Sequence, residues 1–194
     1  MGNVIVEFSP DKIIEAFGVS DPEDKKLLRD AIFESGDWAK ADLGEVSFEE
    51  IYEKATKVLP KRLHHAAKQI TENWYDILPP VKGTAELIRK LKEEGFRIYL
   101  LSNAASNQPD YWVKTPGHEY FDGTVISAFE KCAKPEEKFF RILLDRYDLK
   151  PEESFFTDDM EKNIATAQKL GMKTFLFRNN VGELEEYINE LKKG

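Results

Sequence analysis

Ser154-Phe155-Phe156-Thr157-Asp158-Asp159 joins a short apolar run to two adjacent carboxylates, and Asn163 follows four residues beyond the second. The run reads as a buried strand. Ile164, Ala165, Ala167 and Leu170 before Gly171 read as a helix with a glycine stop. Two neighbouring anions at a strand's carboxyl end raise each other's pKa unless a cation lies between them. Magnesium suits that place, because it takes one or two carboxylates together with phosphate oxygens. The competing reading is that Asp158 and Asp159 cap the following helix.

Outward from this stretch, strand and helix alternate from residue 83 onward. Ala85, Leu87, Ile88 and Leu91 line one face of a helix that Gly95 stops. Phe96 to Leu101 predicts a strand, and Asp122 to Ser127 a second, weaker one. Pro135 is expected at the first turn of a helix whose core face is Phe139, Phe140, Leu143 and Leu144. Lys173 to Phe177 predicts a last strand, and Leu184, Tyr187, Ile188 and Leu191 a last helix. Strands separated by helices predict an α/β fold: a Rossmann-like parallel sheet with helices on both faces. Ligands of such sheets bind outside the carboxyl ends of the strands.

Residues 10–78 carry helical patterns and no clear strand. Ser9-Pro10 starts a helix ahead of Ile13, Ile14 and Phe17, and Leu27, Leu28, Ile32 and Phe33 form a second stripe. Ser47-Phe48-Glu49-Glu50 is a capping box, and Leu63, Ala66, Ile70, Trp74 and Ile77 line a longer helix ending before Pro79-Pro80. The expected organisation is an α/β core of residues 1–9 and 79–194 and a small all-helical cap at 10–78, able to act as a lid.

Composition narrows the function classes. Of the 194 residues 41% are hydrophobic, enough for a packed core, and the charged residues carry both signs interspersed. A net charge of -8 argues against nucleic acid and anionic membranes as partners. Any phosphate site must then concentrate positive charge locally. A single cysteine, Cys132, allows no intrachain disulfide. No apolar run is long enough for a membrane span, and no signal-peptide pattern opens the chain, so a cytoplasmic location is expected. The sequence leaves the oligomeric state open.

Three strand ends carry candidate chemistry. At Ser102-Asn103 a hydroxyl and backbone amides can hold a phosphoryl oxygen, or form a plain turn. Lys134-Pro135 places a lysine able to neutralise phosphate as a point charge, or an ordinary solvated lysine. Asn163, one turn beyond Asp159, either orients a carboxylate or sits on the helix surface. Trp38, Asp42 and Leu43 flank the Gly44 turn, where packing and substrate contact are both open readings. Tyr111 and Trp112 read as pocket or core, and His64, His65 and His118 as structural.

In this order and spacing the motifs resemble the haloacid dehalogenase superfamily of phosphohydrolases. Leu100-Leu101-Ser102-Asn103, Lys134-Pro135 and Phe156-Thr157-Asp158-Asp159 with Asn163 match its second, third and fourth motifs, and the helices of 10–78 match its small helical cap. The resemblance implies a magnesium-dependent phosphatase acting on a small phosphorylated metabolite such as a sugar phosphate. Asp159 would hold Mg2+ directly and Asp158 directly or through water. Ser102 and the Asn103 amide would bind the phosphoryl group, Lys134 would pair with phosphate and nucleophile, and the cap loop of Trp38 and Asp42 would face the substrate. A 2-haloacid dehalogenase is disfavoured by the paired acids.

The family's first motif, a strand ending in the nucleophilic aspartate, has no match in place. Gly2-Asn3-Val4 resembles the segment after that aspartate in relatives reading Asp-Leu-Gly-Asn-Val, which puts the nucleophile just ahead of Met1 and its strand outside these residues. A second register makes residues 3–8 the strand, with Glu7 in the nucleophile's place. The chain is then expected to be inactive as written unless the aspartate is supplied upstream. The alternative is a non-catalytic phosphate- or metal-binding module.

Overall fold

The computed structural model describes residues 1–193. Residues 10 to 77 are helical throughout their regular elements: α1 (Pro10–Ala16), α2 (Pro22–Leu28), α3 (Asp37–Asp42), α4 (Phe48–Val58) and α5 (His64–Asn73). Local chemistry sets their starts. Ser9 and Asp21 accept from first-turn amides, and each helix begins at a proline that has no N–H to lose. The Ser47–Glu50 capping box is closed in both directions, at 2.8 and 3.1 Å. These helices bury Ile13, Ile14, Leu28, Ile32, Ile51 and Ile70 in one core, which also takes in Ala105 and Tyr111 from the rest of the chain.

Beyond them come α6 (Thr84–Glu93), β1 (Tyr99–Ser102), α7 (Gln108–Trp112), β2 (Gly123–Ile126), α8 (Ser127–Glu130), α9 (Glu137–Arg146), β3 (Phe155–Asp158), α10 (Glu161–Lys169), β4 (Lys173–Leu176) and α11 (Val181–Leu191). Side chains alternate across the strands. Leu101, Val125, Phe156 and Leu176 turn toward α9 and α10, around the fully buried Phe139 and Phe140. Burying a phenylalanine is worth roughly 1.5–3 kcal/mol. Leu100 and Ile126 face the other way with Ile5, Val6 and Trp112, while Phe155 and Phe175 pack with Val81, Leu87, Leu184 and Ile188. Helices therefore cover both faces, as the alternating pattern predicts.

The second register for residues 3–8 and some element boundaries need correction. A core strand lying outside these residues was expected from the first register, and among the described residues β1 pairs only with β2 and β3 only with β4, both parallel. The halves meet through the shared core of Leu101 and Phe156 rather than through a ladder. Residues 3–8 do not supply the joining strand. The amides of Val4, Ile5 and Val6 all approach the Met1 carbonyl, at 3.3, 2.9 and 3.3 Å, and fold the segment into a turn. Boundaries also shift. Phe96 is 43% exposed and precedes β1, and α9 starts after Glu136 rather than at Pro135.

The helical layer is tied to the strand ends. Ser127 Oγ donates to the Asp42 carbonyl, and Lys131 Nζ donates to the Gly44 carbonyl at 2.7 Å. Gly44 has φ +65°, and a Cβ there would lie 2.6 Å from the Ala128 carbonyl oxygen, so only glycine fits. No described helix is long and apolar enough to cross a membrane.

Candidate active site

The carboxyl ends of β1 and β3 and the loop ahead of α9 bring Ser102, Asn103, Lys134, Asp158, Asp159 and Asn163 together. Asp158 is the hub. Lys134 Nζ donates to its Oδ2 at 2.7 Å, while the Met160 amide and Asn163 Nδ2 donate to its Oδ1 at 2.9 and 2.8 Å. Lysine and aspartate side chains are each only 6% exposed, and the ammonium also lies 5.7 Å from the centre of the Phe156 ring. Burial pushes the Asp158 carboxyl up, but the Lys134 charge and these hydrogen bonds outweigh it and hold it below the usual carboxylate range. Asn163 is buried, so it reaches inward to the carboxylate from the first turn of α10 rather than outward to solvent.

Asn103 fixes Lys134 from the other side. Its Oδ1 accepts from the Lys134 amide at 2.8 Å, and its Nδ2 donates to the Lys134 carbonyl at 2.9 Å. This two-point clamp on the backbone aims the lysine while the side chain runs on to Asp158. Ser102 is buried, and its hydroxyl makes one long donation, 3.4 Å, to the Asn103 carbonyl, leaving it available to a ligand. Asp159 is half-buried and receives one hydrogen bond, from Asn3 Nδ2 at 3.1 Å.

The motif reading missed two participants. Asn3, at φ +57°, also accepts from the Phe8 amide, so the amino-terminal turn is pinned to Asp159. The Met1 α-amino group lies among Lys134, Asp158 and Asp159. Burial first, and the Lys134 charge second, push it down to about 5, against the pull of both aspartates. Only the Gly2-Asn3 register pointed toward either group. Glu7, the other register's candidate, pairs instead with Lys12 at 2.8 Å, away from the site. Trp38 stacks on Phe33 at 4.6 Å and meets Phe48 and Trp74 edge-on, so its ring is part of an aromatic layer. His64 and His118 bond backbone carbonyls.

Among the described residues no cluster of three or more His, Cys, Asp or Glu could enclose a metal ion. The donors present suit a hard cation that keeps waters and shares phosphate oxygens, as magnesium does. Asp159, with one hydrogen bond, has free lone pairs for it, whereas Asp158 is engaged by three donors.

A family model for haloacid dehalogenase-like hydrolases matches residues 4–171. The chain belongs to the haloacid dehalogenase-like hydrolase family. A magnesium and inorganic phosphate complex of an aspartate-to-alanine variant of a family enzyme from Bacteroides thetaiotaomicron superposes with a TM-score of 0.71 at 26% identity, covering 95% of each chain. A D-ribitol-5-phosphate phosphatase from Bacteroides thetaiotaomicron is 24% identical over 95% of this chain and 92% of its own length. A sesquiterpene phosphatase from Aspergillus oryzae is 26% identical over 73% and 72%. The site geometry thus sits in a family hydrolase with phosphatase relatives.

Proposed function

We propose that this chain is the phosphate- and magnesium-binding body of a phosphatase for a small phosphorylated metabolite, with a sugar or polyol phosphate as substrate. The observation that carries it is the buried Lys134–Asp158 pair set between Ser102 and Asp159 on two strand ends. Lys134 spends one N–H on Asp158 and keeps two for phosphate oxygens. Ser102 Oγ and the Asn103 amide add donors, and Asn163 and the Met160 amide keep Asp158 aimed at the lysine. Asp159, with Asp158 beside it, would hold Mg2+, which when bound neutralises phosphate charge and bridges its oxygens. The helices of 10–77, tied down at Asp42 and Gly44, form the cap that excludes water.

Attack on phosphorus needs one more carboxylate. Asp158 is committed to its three donors, and Asp159 faces the metal position. On the Gly2-Asn3-Val4 register the nucleophile would be carried ahead of Gly2, at the end of a strand lying between β1 and β3. This reading is supported by the Gly2-Asn3-Val4 register and by the separation of the two strand pairs. The Bacteroides neighbour that holds magnesium and phosphate as an aspartate-to-alanine variant supports binding without a full set of acids.

Two experiments test it. In these 194 residues, magnesium and inorganic phosphate together should raise Tm, by an amount equivalent to ~2.7 kcal/mol at a hundred times Kd. Asp159→Asn should remove the magnesium-dependent part, and an unchanged shift in that variant would sink the metal assignment. Extending the chain through the codons upstream of Met1 should then give magnesium-dependent hydrolysis of a generic aryl phosphate. An extended chain that binds phosphate but never hydrolyses it leaves a binding module instead.

A further inference from the structure

Ser127 is wholly buried, and its hydroxyl joins the helical layer to the phosphate-binding loop. It follows Ile126, which stands opposite Ser102 across the β1–β2 ladder, so it lies at the same strand ends. Its Oγ accepts the Ala104 N–H at 2.9 Å and donates to the carbonyl of Asp42, the last residue of α3. The peptide carrying that N–H has Asn103 as its carbonyl, and this oxygen accepts from Ser102 Oγ at 3.4 Å. Three hydrogen bonds and one planar peptide therefore connect the Asp42 carbonyl to the Ser102 hydroxyl.

A hydroxyl has one proton to donate. The Ala104 carbonyl also lies 3.3 Å from Ser127 Oγ, and it already accepts the Ala128 N–H. With the helical layer seated, the proton goes to Asp42. With that layer withdrawn, the Ala104 carbonyl is the acceptor left within reach. The link thus has two discrete arrangements, the kind of element through which coupling can pass. A second tie lies beside it. Lys131 keeps a left-handed backbone, φ +53°, and reaches the Gly44 carbonyl at 2.7 Å. A non-glycine residue persists in that region only where its surroundings fix it.

We propose that Ser127 is a positioning residue that couples seating of the helical layer to the geometry of the phosphate-binding loop. The inference rests on the phosphate-binding reading above and adds its regulation. In the seated state the Asp42 carbonyl fixes the Ser127 hydroxyl. That hydroxyl then fixes the 103–104 peptide, and with it the acceptor that aims Ser102. Withdrawal of Asp42 frees the peptide to tilt, and the loop loses its preset shape. Such coupling is reciprocal, so phosphate bound at the loop must also hold the turn after α3 in place.

Calorimetric titration of the chain with inorganic phosphate in magnesium buffer, paired with amide hydrogen exchange, tests the proposal. Ser127→Ala should weaken phosphate binding about five-fold, the scale of one net hydrogen bond. In the unmodified chain, phosphate should slow exchange at the Gly44 and Glu45 amides, which bond the Ala41 and Lys40 carbonyls. Ser127→Ala should lose that phosphate-linked protection. Lys131→Met, at an exposed position, should weaken phosphate about three-fold alone and add nothing to Ser127→Ala. Equal phosphate affinity in Ser127→Ala and the unmodified chain overturns the proposal. So does protection of Gly44 that survives in Ser127→Ala, which would make the hydroxyl a local prop. Should Ser127→Ala not fold, Lys131→Met decides alone, and an unchanged affinity there overturns the coupling. Failure of the unmodified chain to bind inorganic phosphate at all would instead remove the phosphate-binding reading, and the coupling with it.

Discussion

Val4-Ile5-Val6 and Phe155-Phe156-Thr157 are alike in composition, short and rich in residues that favour strands, yet only the second becomes one. Residues 155–158 find a parallel partner in Lys173–Leu176, with each residue opposite its mate. The amides of residues 4–6 turn back on the Met1 carbonyl instead, and the segment contacts Pro79 to Val81 by only two backbone bonds, 2.8 and 2.9 Å. Strand propensity fits a side chain to a pleated surface and does not provide the partner. The outcome has a chemical consequence. The strand ends in Asp158, already paired with Lys134, whereas the turn presents an amine and Asn3 to the same site.

The comparison can be broken most severely at Asp158. Asp158→Ala leaves the buried Lys134 ammonium without its partner and should cost about 4 kcal/mol in urea unfolding. A loss below about 1 kcal/mol would mean that water reaches the pair. Phe156→Ala empties the core shared by the two strand pairs and should cost about 3 kcal/mol. Ile5→Ala, in the turn, should cost about 2 kcal/mol, because burial rather than strand pairing holds that segment. An effect near zero there would show that the turn is merely laid on the surface. Asn3→Ala combines a left-handed backbone with two lost hydrogen bonds, and about 1 kcal/mol is expected, part of which Asn3→Gly should restore.

The smallest effect is in pH. Asp158 is held below its ordinary value, so its contribution is present above about pH 4, the unfolded carboxylate range, and is lost as pH falls through the folded value. Asp42 has the opposite sign: raised to about 7, it costs stability as pH climbs from the unfolded carboxylate range toward neutrality. Asp42→Asn should therefore flatten the stability profile between about pH 4 and 7, and Asp158→Asn should flatten it below about pH 4. Chemical denaturation at stepped pH reads both, and a profile unchanged in either variant removes that residue's share.

Much of the architecture was legible before any coordinates. The capping box at Ser47, the glycine stop at Gly95 and the apolar faces of α6, α9 and α11 are local signals, and local hydrogen bonds and burial settle them. The motif order Ser102, Lys134, Asp158 also points to the sheet edge where the structure gathers these groups. Asn163 could not be placed by spacing alone, since one helical turn beyond Asp159 serves a surface residue equally well. The aim of its amide at Asp158 depends on where α10 packs against β3.

What the sequence by itself determined is the alternation of strand and helix, the helical layer of residues 10 to 77, and the family to which those motifs belong. These follow from periodicity, capping and spacing, which act within a few residues. Only the tertiary structure decided that residues 3–8 fold into a turn rather than a strand, and that Met1 and Asn3 meet Asp158 and Asp159 while Asp42 is tied to Ser127. The ties of Asn3 to Asp159 and of Asp42 to Ser127 join residues 156 and 85 positions apart, beyond the reach of any local signal. The carboxylate pair on β3 was visible from the start; what satisfies one acid and leaves the other open is geometry, set by the buried lysine that reaches the first.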